Sequence, residues 1–232
     1  MKDSGLKESG LIPDLERHWF DLAARLGLAE PGFLWGDLSA AYSEPHRHYH
    51  TLTHIAATVV QFNSVRDRFD EPDQALLALF YHDIVYDPAR RDNEALSADR
   101  LRDSLPGKDT IRACRHILAT QAHLKSDDPD TNLVLDIDMS ILGAPWPEYL
   151  AYARGVWREY APVYGPLAYA AGRVAIFLTP TLERDHIFLT PAFSDLDATA
   201  RHNLGAERDL WQSGEFEAID AGQTQRRPPW DR

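Results

Sequence analysis

The chain has one cysteine, Cys114. No intramolecular disulfide can form, and a zinc site built on cysteine thiolates is excluded. Long hydrophobic runs are also missing: nothing approaches the roughly 20 apolar residues needed to cross a bilayer. The opening MKDSGLKESGLIPDLERHW carries charge where a signal peptide needs an apolar core. These absences lead to the expectation of a cytoplasmic protein with no membrane partner. Positive charge is scarce too, with 24 Lys and Arg against 36 Asp and Glu, a net of −12. That balance argues against a nucleic-acid polymer or an anionic membrane as partner. A small phosphorylated substrate stays open, because a bound metal reverses the local field.

Alternating β patterns are nearly absent; only IFLT at 187–190 could be extended. Most segments between prolines and glycines instead show apolar residues at i, i+3 and i+4. Helices are expected over 13–27, with Pro13 and Asp14 at the start, 50–69, 73–86, 92–104, 109–121, 131–142, 147–161, 166–179 and 192–212. The fold class is all-α. No repeat, linker or low-complexity stretch divides the chain, so one domain is expected over 1–213, followed by a loosely ordered tail over 214–232.

Three stretches break the apolar pattern with chemically active side chains. HYHTLTHIAATVVQF, residues 48–62, opens a helical pattern with His48, His50 and His54. LFYHDIVYDP, 79–88, sets His82 and Asp83 side by side in an apolar run, and LVLDIDMSILG, 133–143, does the same with Asp136 and Asp138. Imidazoles and carboxylates are costly to bury without partners. Offered together by three separate segments, they make the ligand set of a hydrolytic divalent metal.

The order His, His-Asp, Asp resembles that of the HD-domain metal-dependent phosphohydrolases. The blocks RHYHTLTHI, FYHDIVYD, DNEALSA, DIDMSILG, VWREY and ARHNLGAE together look like a branch of predicted HD-superfamily phosphohydrolases, over roughly residues 12–212. The resemblance implies a single HD-type helical bundle with additional C-terminal helices and a metal-site core at about 46–143. YHTLTH is also similar to the YHNxxH block of the cyclic-nucleotide phosphodiesterases. Carried over residue by residue, it makes His54, His82, Asp83 and Asp138 the ligands of one divalent ion (Mn, Mg, Zn, Co or Fe) and His50 the general acid. Asp138 fits the superfamily's last block better than Asp136. His46 and His48 have no counterpart and are expected at the surface or as caps.

Around this set, Glu94 in DNEALSA either orients an attacking water or caps its helix. Arg47, Arg158 and Arg173 are candidates to hold phosphate oxygens, with Asp136 or Glu159 as an internal partner for Arg173. His123 is expected to line the site, ahead of His116. The expected activity is metal-dependent hydrolysis of a small phosphate ester, a nucleotide among the candidates, through an activated water. Two other readings stay open: a dinuclear iron oxygenase, which would need His116 and His123 as ligands, and a non-catalytic metal-stabilised binding protein.

Overall fold

The computed structural model describes residues 4–216, with side chains from residue 12 onward. Among these residues every regular element is helical. The helices are α1 (Ser4–Leu26), α2 (Pro31–Ala41), α3 (Leu52–Val65), α4 (Pro72–Tyr81), α5 (Asn93–Ser104), α6 (Ile111–Ala119), α7 (Pro129–Met139), α8 (Trp146–Tyr164), α9 (Pro166–Gly172), α10 (Thr179–Leu182) and α11 (Asp197–Ser213). A six-residue π-helical segment, Arg173–Leu178, joins α9 to α10. Residues 187–190 are a bend and not a strand. Pro13 lies inside α1, not at its start.

One domain over 1–213 is the sequence expectation; the described residues group into two compact units, divided after Met139. The junction has no linker signature because α7 runs straight into the 3-10 turn Ser140–Gly143. Of the expected loose tail, 214–216 are described: Phe216 is buried, its ring stacked on Trp211 at 4.0 Å. The remainder lies outside the described residues.

In the first unit, α3 packs on α1, α4 and α7, and α6 packs on α4, α5 and α7. α4 is the central element, since all seven residues from Ala75 to Tyr81 are buried. Pro72 starts it, and the carboxylate of Asp130, from the first turn of α7, accepts the backbone N–H groups of Asp70 and Glu71 just before it. Trp19 of α1 meets Phe80 edge to face at 5.3 Å. Burying a side chain of this kind contributes about 1.5–3 kcal/mol, which fixes the end of α4 against α1.

The second unit is built round an internal ion pair. Glu207 of α11, wholly buried, accepts hydrogen bonds from Arg173 Nε at 2.9 Å, Trp211 Nε1 at 3.0 Å and the Tyr149 hydroxyl. Arg173 also donates to the Tyr152 hydroxyl at 3.0 Å. Its ion-pair partner is Glu207, where the sequence suggests Asp136 or Glu159. Sequence separation hides the pair, since the two residues come from elements 34 positions apart.

His116 is fully buried in α6. Its Nδ1–H donates to Thr131 Oγ1 at 2.8 Å, because the Thr131 hydroxyl proton is itself given to Asp128. Nε2 is left without a hydrogen-bond partner. Burial pushes this imidazole below its ordinary pKa, and the Arg112 cation adds to that. A depressed folded pKa means stability is complete above the unfolded value of about 6.5 and is lost as pH falls through the folded value. Replacing His116 by Leu should thus flatten the acid limb: melting temperature should fall less steeply below about pH 6.5 than in wild type. Parallel acid limbs in differential scanning calorimetry would show that His116 carries none of the acid sensitivity.

Candidate metal centre

The site belongs wholly to the first unit. His54 stands in the first turn of α3, Asp138 in the last turn of α7, and His82 at the C-cap of α4. The apolar pattern over 73–86 predicts His82 and Asp83 inside a helix, but α4 ends at Tyr81. The difference matters, because consecutive side chains inside a helix point about 100° apart. In the turn beyond α4 both swing to one side, and Asp83 Oδ2 comes within 3.0 Å of His82 Nε2.

His54 Nε2 and His82 Nε2 are 3.2 Å apart, and Asp138 Oδ1 lies 3.3 and 3.4 Å from them. These three residues form a group that could hold a metal ion, the one such group among the described residues. Asp83 Oδ2 flanks it, 3.8 Å from His54 Nε2. Asp136 is buried two residues before Asp138, and two helical positions are about 200° of rotation, so only one of the pair can face the histidines. The donor set fits a divalent cation of borderline hardness. His82 Nδ1–H donates to the Leu79 carbonyl at 3.0 Å, which fixes the tautomer that turns the Nε2 lone pair toward the group. The imidazoles form the floor, 3% and 1% exposed, whereas both carboxylates are 15% exposed and open one side to solvent.

Without an ion, one proton does part of the same work. Burial pushes His82 down, but Asp83 and Asp138 outweigh it and hold the imidazole well above its ordinary pKa. His54 goes the other way, lowered chiefly by burial and further by His82. Burial raises both carboxyls, yet the His82 cation overrides it and keeps Asp83 and Asp138 below the usual range. His82 thus favours its cation and the two carboxyls their anions, each stabilising the other.

The sequence between the ligands turns out to be scaffold. Residues 82–87 form an irregular loop whose main-chain groups are met by side chains from two other segments. The Tyr42 hydroxyl donates to the Phe80 carbonyl at 3.0 Å and accepts the Asp83 N–H at 3.3 Å. His46 Nε2 lies 2.8 Å from the Tyr86 carbonyl. On α5, Ser97 pairs with both main-chain groups of Val85 and Asn93 with both of Asp87. Arg47, expected to hold phosphate, is buried and donates to the carbonyls of His50, Asp83 and Ile84 and to Glu44. A guanidinium so engaged is not presented to a substrate. For Asn93 and Ser97 the sequence signal is their place soon after the His-Asp pair and their spacing of about one helical turn, whereas Tyr42 is about 40 positions upstream and only the fold reveals its role.

His50 lies in the turn before α3, so it does not share a helical face with His54. Its ring is half-buried, stacked on Tyr86 at 4.1 Å, with its centroid 5.9 Å from that of His54. Glu94, in the first turn of α5, is half-buried; burial and the charge of Asp83 raise its pKa. His123 is not on one helix with His116, since α6 stops at Ala119. Its φ of 48° turns the chain back, and Nε2 lies 2.9 Å from Asp138 Oδ2, the oxygen not shared with His54 and His82. A left-handed histidine costs roughly 1 kcal/mol or more, and here it coincides with a bond to a ligand carboxylate. His48 is exposed. Arg158 and Arg173 belong to the second unit, Arg158 exposed on α8 and Arg173 neutralised by Glu207.

No helix among the described residues is long and apolar enough to cross a membrane. No family model, curated protein or solved structure matches this chain.

Two outcomes are expected in solution. Asp138→Asn should abolish metal retention, whereas Asp136→Asn should keep the ion; elemental analysis of the dialysed variants decides, and the reverse result reassigns the ligand. A bound ion must also replace the His82 proton, so affinity should rise with pH. The raised His82 pKa stabilises the ion-free fold fully below about pH 6.5 and ceases to do so as pH climbs through the folded value. At fixed free Mn²⁺, the metal-induced rise in melting temperature should therefore be larger at pH 8 than at pH 6. A rise independent of pH would show that no proton is displaced.

Proposed function

We propose that this chain is a metal-dependent hydrolase of a small phosphate ester, with a nucleotide as one candidate substrate. The observation that carries the reading is the convergence of His54, His82 and Asp138, with Asp83 beside them, on one partly open point. Six sequence blocks that resemble HD-domain phosphohydrolases support it. His54, His82, Asp83 and Asp138 would hold one divalent ion, from among Mn, Mg, Zn, Co and Fe. When bound, the ion supplies Lewis acidity at the phosphoryl group and acidifies a water.

The remaining chemistry falls to side chains already near that point. Glu94, with its raised pKa, is suited to orient the attacking water and take up its proton. His50, held by ring contacts with Tyr49 and Tyr86, donates a proton to the departing oxygen. His123 holds the second oxygen of Asp138 and keeps that carboxylate turned toward the histidines. Among the described residues His116 joins no second ligand group, so a dinuclear oxygenase is the weaker reading. A purely structural ion would have no use for solvent-facing carboxylates flanked by Glu94 and His50.

The test is a screen of phosphorylated metabolites with metal-stripped protein reloaded with each of the five ions. Turnover that depends on the ion and is lost in His82→Ala supports the proposal; a tightly loaded protein that hydrolyses none of them counts against it. Within an active series, His50→Ala should retain the ion and lose about 10²–10⁴-fold in kcat on a poor alkoxide leaving group. On a p-nitrophenyl ester, whose leaving group needs no proton, the loss should be much smaller. Equal losses on both substrates would remove His50 from the acid role.

A further inference from the structure

Arg47 is a fully buried cation next to the candidate metal centre and is not part of it. Its guanidinium holds two stretches of main chain that are distant in sequence and adjacent in space. Nη1 donates to the His50 carbonyl at 3.2 Å and to the Asp83 carbonyl at 2.7 Å, and Nη2 to the Ile84 carbonyl at 3.0 Å. Nε completes the set on Glu44 at 3.0 Å. The planar fork lies over the rings of Tyr42 and Tyr86, 5.1 and 5.3 Å from their centroids. Both stretches carry the chemistry: His50 leads into the turn of α3 that bears His54, and Asp83 follows His82.

We infer that Arg47 is a positioning residue for the metal centre: it sets the separation between the segment bearing His50 and His54 and the loop bearing His82 and Asp83. This rests on the metal-site reading, and not on any particular substrate. The loop has left α4, so its carbonyls have no helical partners and would otherwise drift toward water. Three carbonyls and one carboxylate need a donor that is planar, multiply protonated and always charged, and only arginine meets that description. Lysine offers one point charge with three donors from a single atom. It cannot span His50 and Ile84 at once while also reaching Glu44. The charge is offset by Glu44 and by carbonyls at the negative end of α4, which lowers the cost of burying it. Tyr42 acts on the same loop from the other side, through the Asp83 N–H and the Phe80 carbonyl. The hydroxyl and the guanidinium therefore fix the Asp83 peptide at both ends.

The experiment is a Co²⁺ titration of the full-length ion-free chain, following both the affinity and the visible d–d spectrum. It compares wild type, Arg47→Lys, Tyr42→Phe and, as a ligand control, His54→Ala. Wild type should bind one ion and His54→Ala essentially none. Arg47→Lys should keep its far-UV circular dichroism yet bind about 10–100-fold more weakly, the range for groups that orient ligands. Its Co²⁺ spectrum should also change in position or intensity, which general destabilisation of the fold would not produce. Tyr42→Phe should move both readouts in the same direction by a smaller amount. Wild-type affinity and an unchanged spectrum in Arg47→Lys would overturn the inference. If Arg47→Lys is unfolded, Tyr42→Phe decides, and wild-type affinity and spectrum there overturn it equally. A wild type that binds no Co²⁺ would sink the metal-site reading itself, a separate failure.

Discussion

Histidine and aspartate at consecutive positions of a helix cannot both address one point, because the helix turns their side chains about 100° apart. The candidate centre depends on the way this constraint is relieved. α4 packs all round as far as Tyr81 and then stops, so His82 and Asp83 fall in the first residues of an irregular loop. Stopping a buried helix is costly, since its last carbonyls lose their partners away from solvent. The chain meets that cost with side chains. Tyr42 takes the Phe80 carbonyl, Arg47 those of Asp83 and Ile84, Ser97 that of Val85, His46 that of Tyr86, and Asn93 that of Asp87. Few of the polar side chains crowded around the loop are left over for chemistry.

The same arrangement explains how the charge balance is tolerated. Two carboxylates and two imidazoles in a nearly closed space would repel or strip one another of charge without a cation between them. The His82 cation and the Asp83 and Asp138 carboxylates hold one another in their charged forms. The raised His82 pKa and the depressed pKa values of Asp83 and Asp138 all have this common origin. Arg47, at the back of the loop, is held by Glu44 and by peptide dipoles, so its charge stabilises the loop's backbone instead of competing with an ion at the front.

Much of this was legible in the sequence. Apolar periodicity predicts an all-α chain, and the described elements are helical throughout, although no expected helix covers α2 and α1 begins well before Pro13. His48, His50, His54, His82, Asp83, Asp136 and Asp138 stand out because carboxylates and imidazoles interrupt apolar runs, and it is the resemblance to the HD-domain phosphohydrolases that selects His54, His82, Asp83 and Asp138 among them. What the sequence hides is geometric. A run such as ALLALFYHDIVY has helical spacing beyond Tyr81, and nothing local marks where tertiary contacts end the helix. The division after Met139 falls inside the apolar run LVLDIDMSILG, and Gly143 and Pro145 come only afterwards, so nothing at the boundary itself marks it. The Arg173–Glu207 pair depends on folding that brings α11 against the π-helical segment, which no short-range pattern encodes.

The arginines show why residue type is a weaker guide than burial and partners. Arg47 opens the block RHYHTLTHI and Arg173 lies in the apolar stretch GRVAIFL, and both are natural candidates to hold a phosphate, since bidentate donation suits phosphate and carboxylate alike. That breadth is the difficulty. A guanidinium also satisfies backbone carbonyls and internal carboxylates, and a buried one must do so. Arg47 meets three carbonyls and Glu44, and Arg173 meets Glu207 and Tyr152. Both are close to saturation by their own fold. If the centre binds a phosphoryl group, the opposing charge must then come mainly from the ion, because the imidazoles that hold it are neutral. This places more of the electrostatic demand on the spacing of His54 and His82, the spacing that Arg47 maintains from behind.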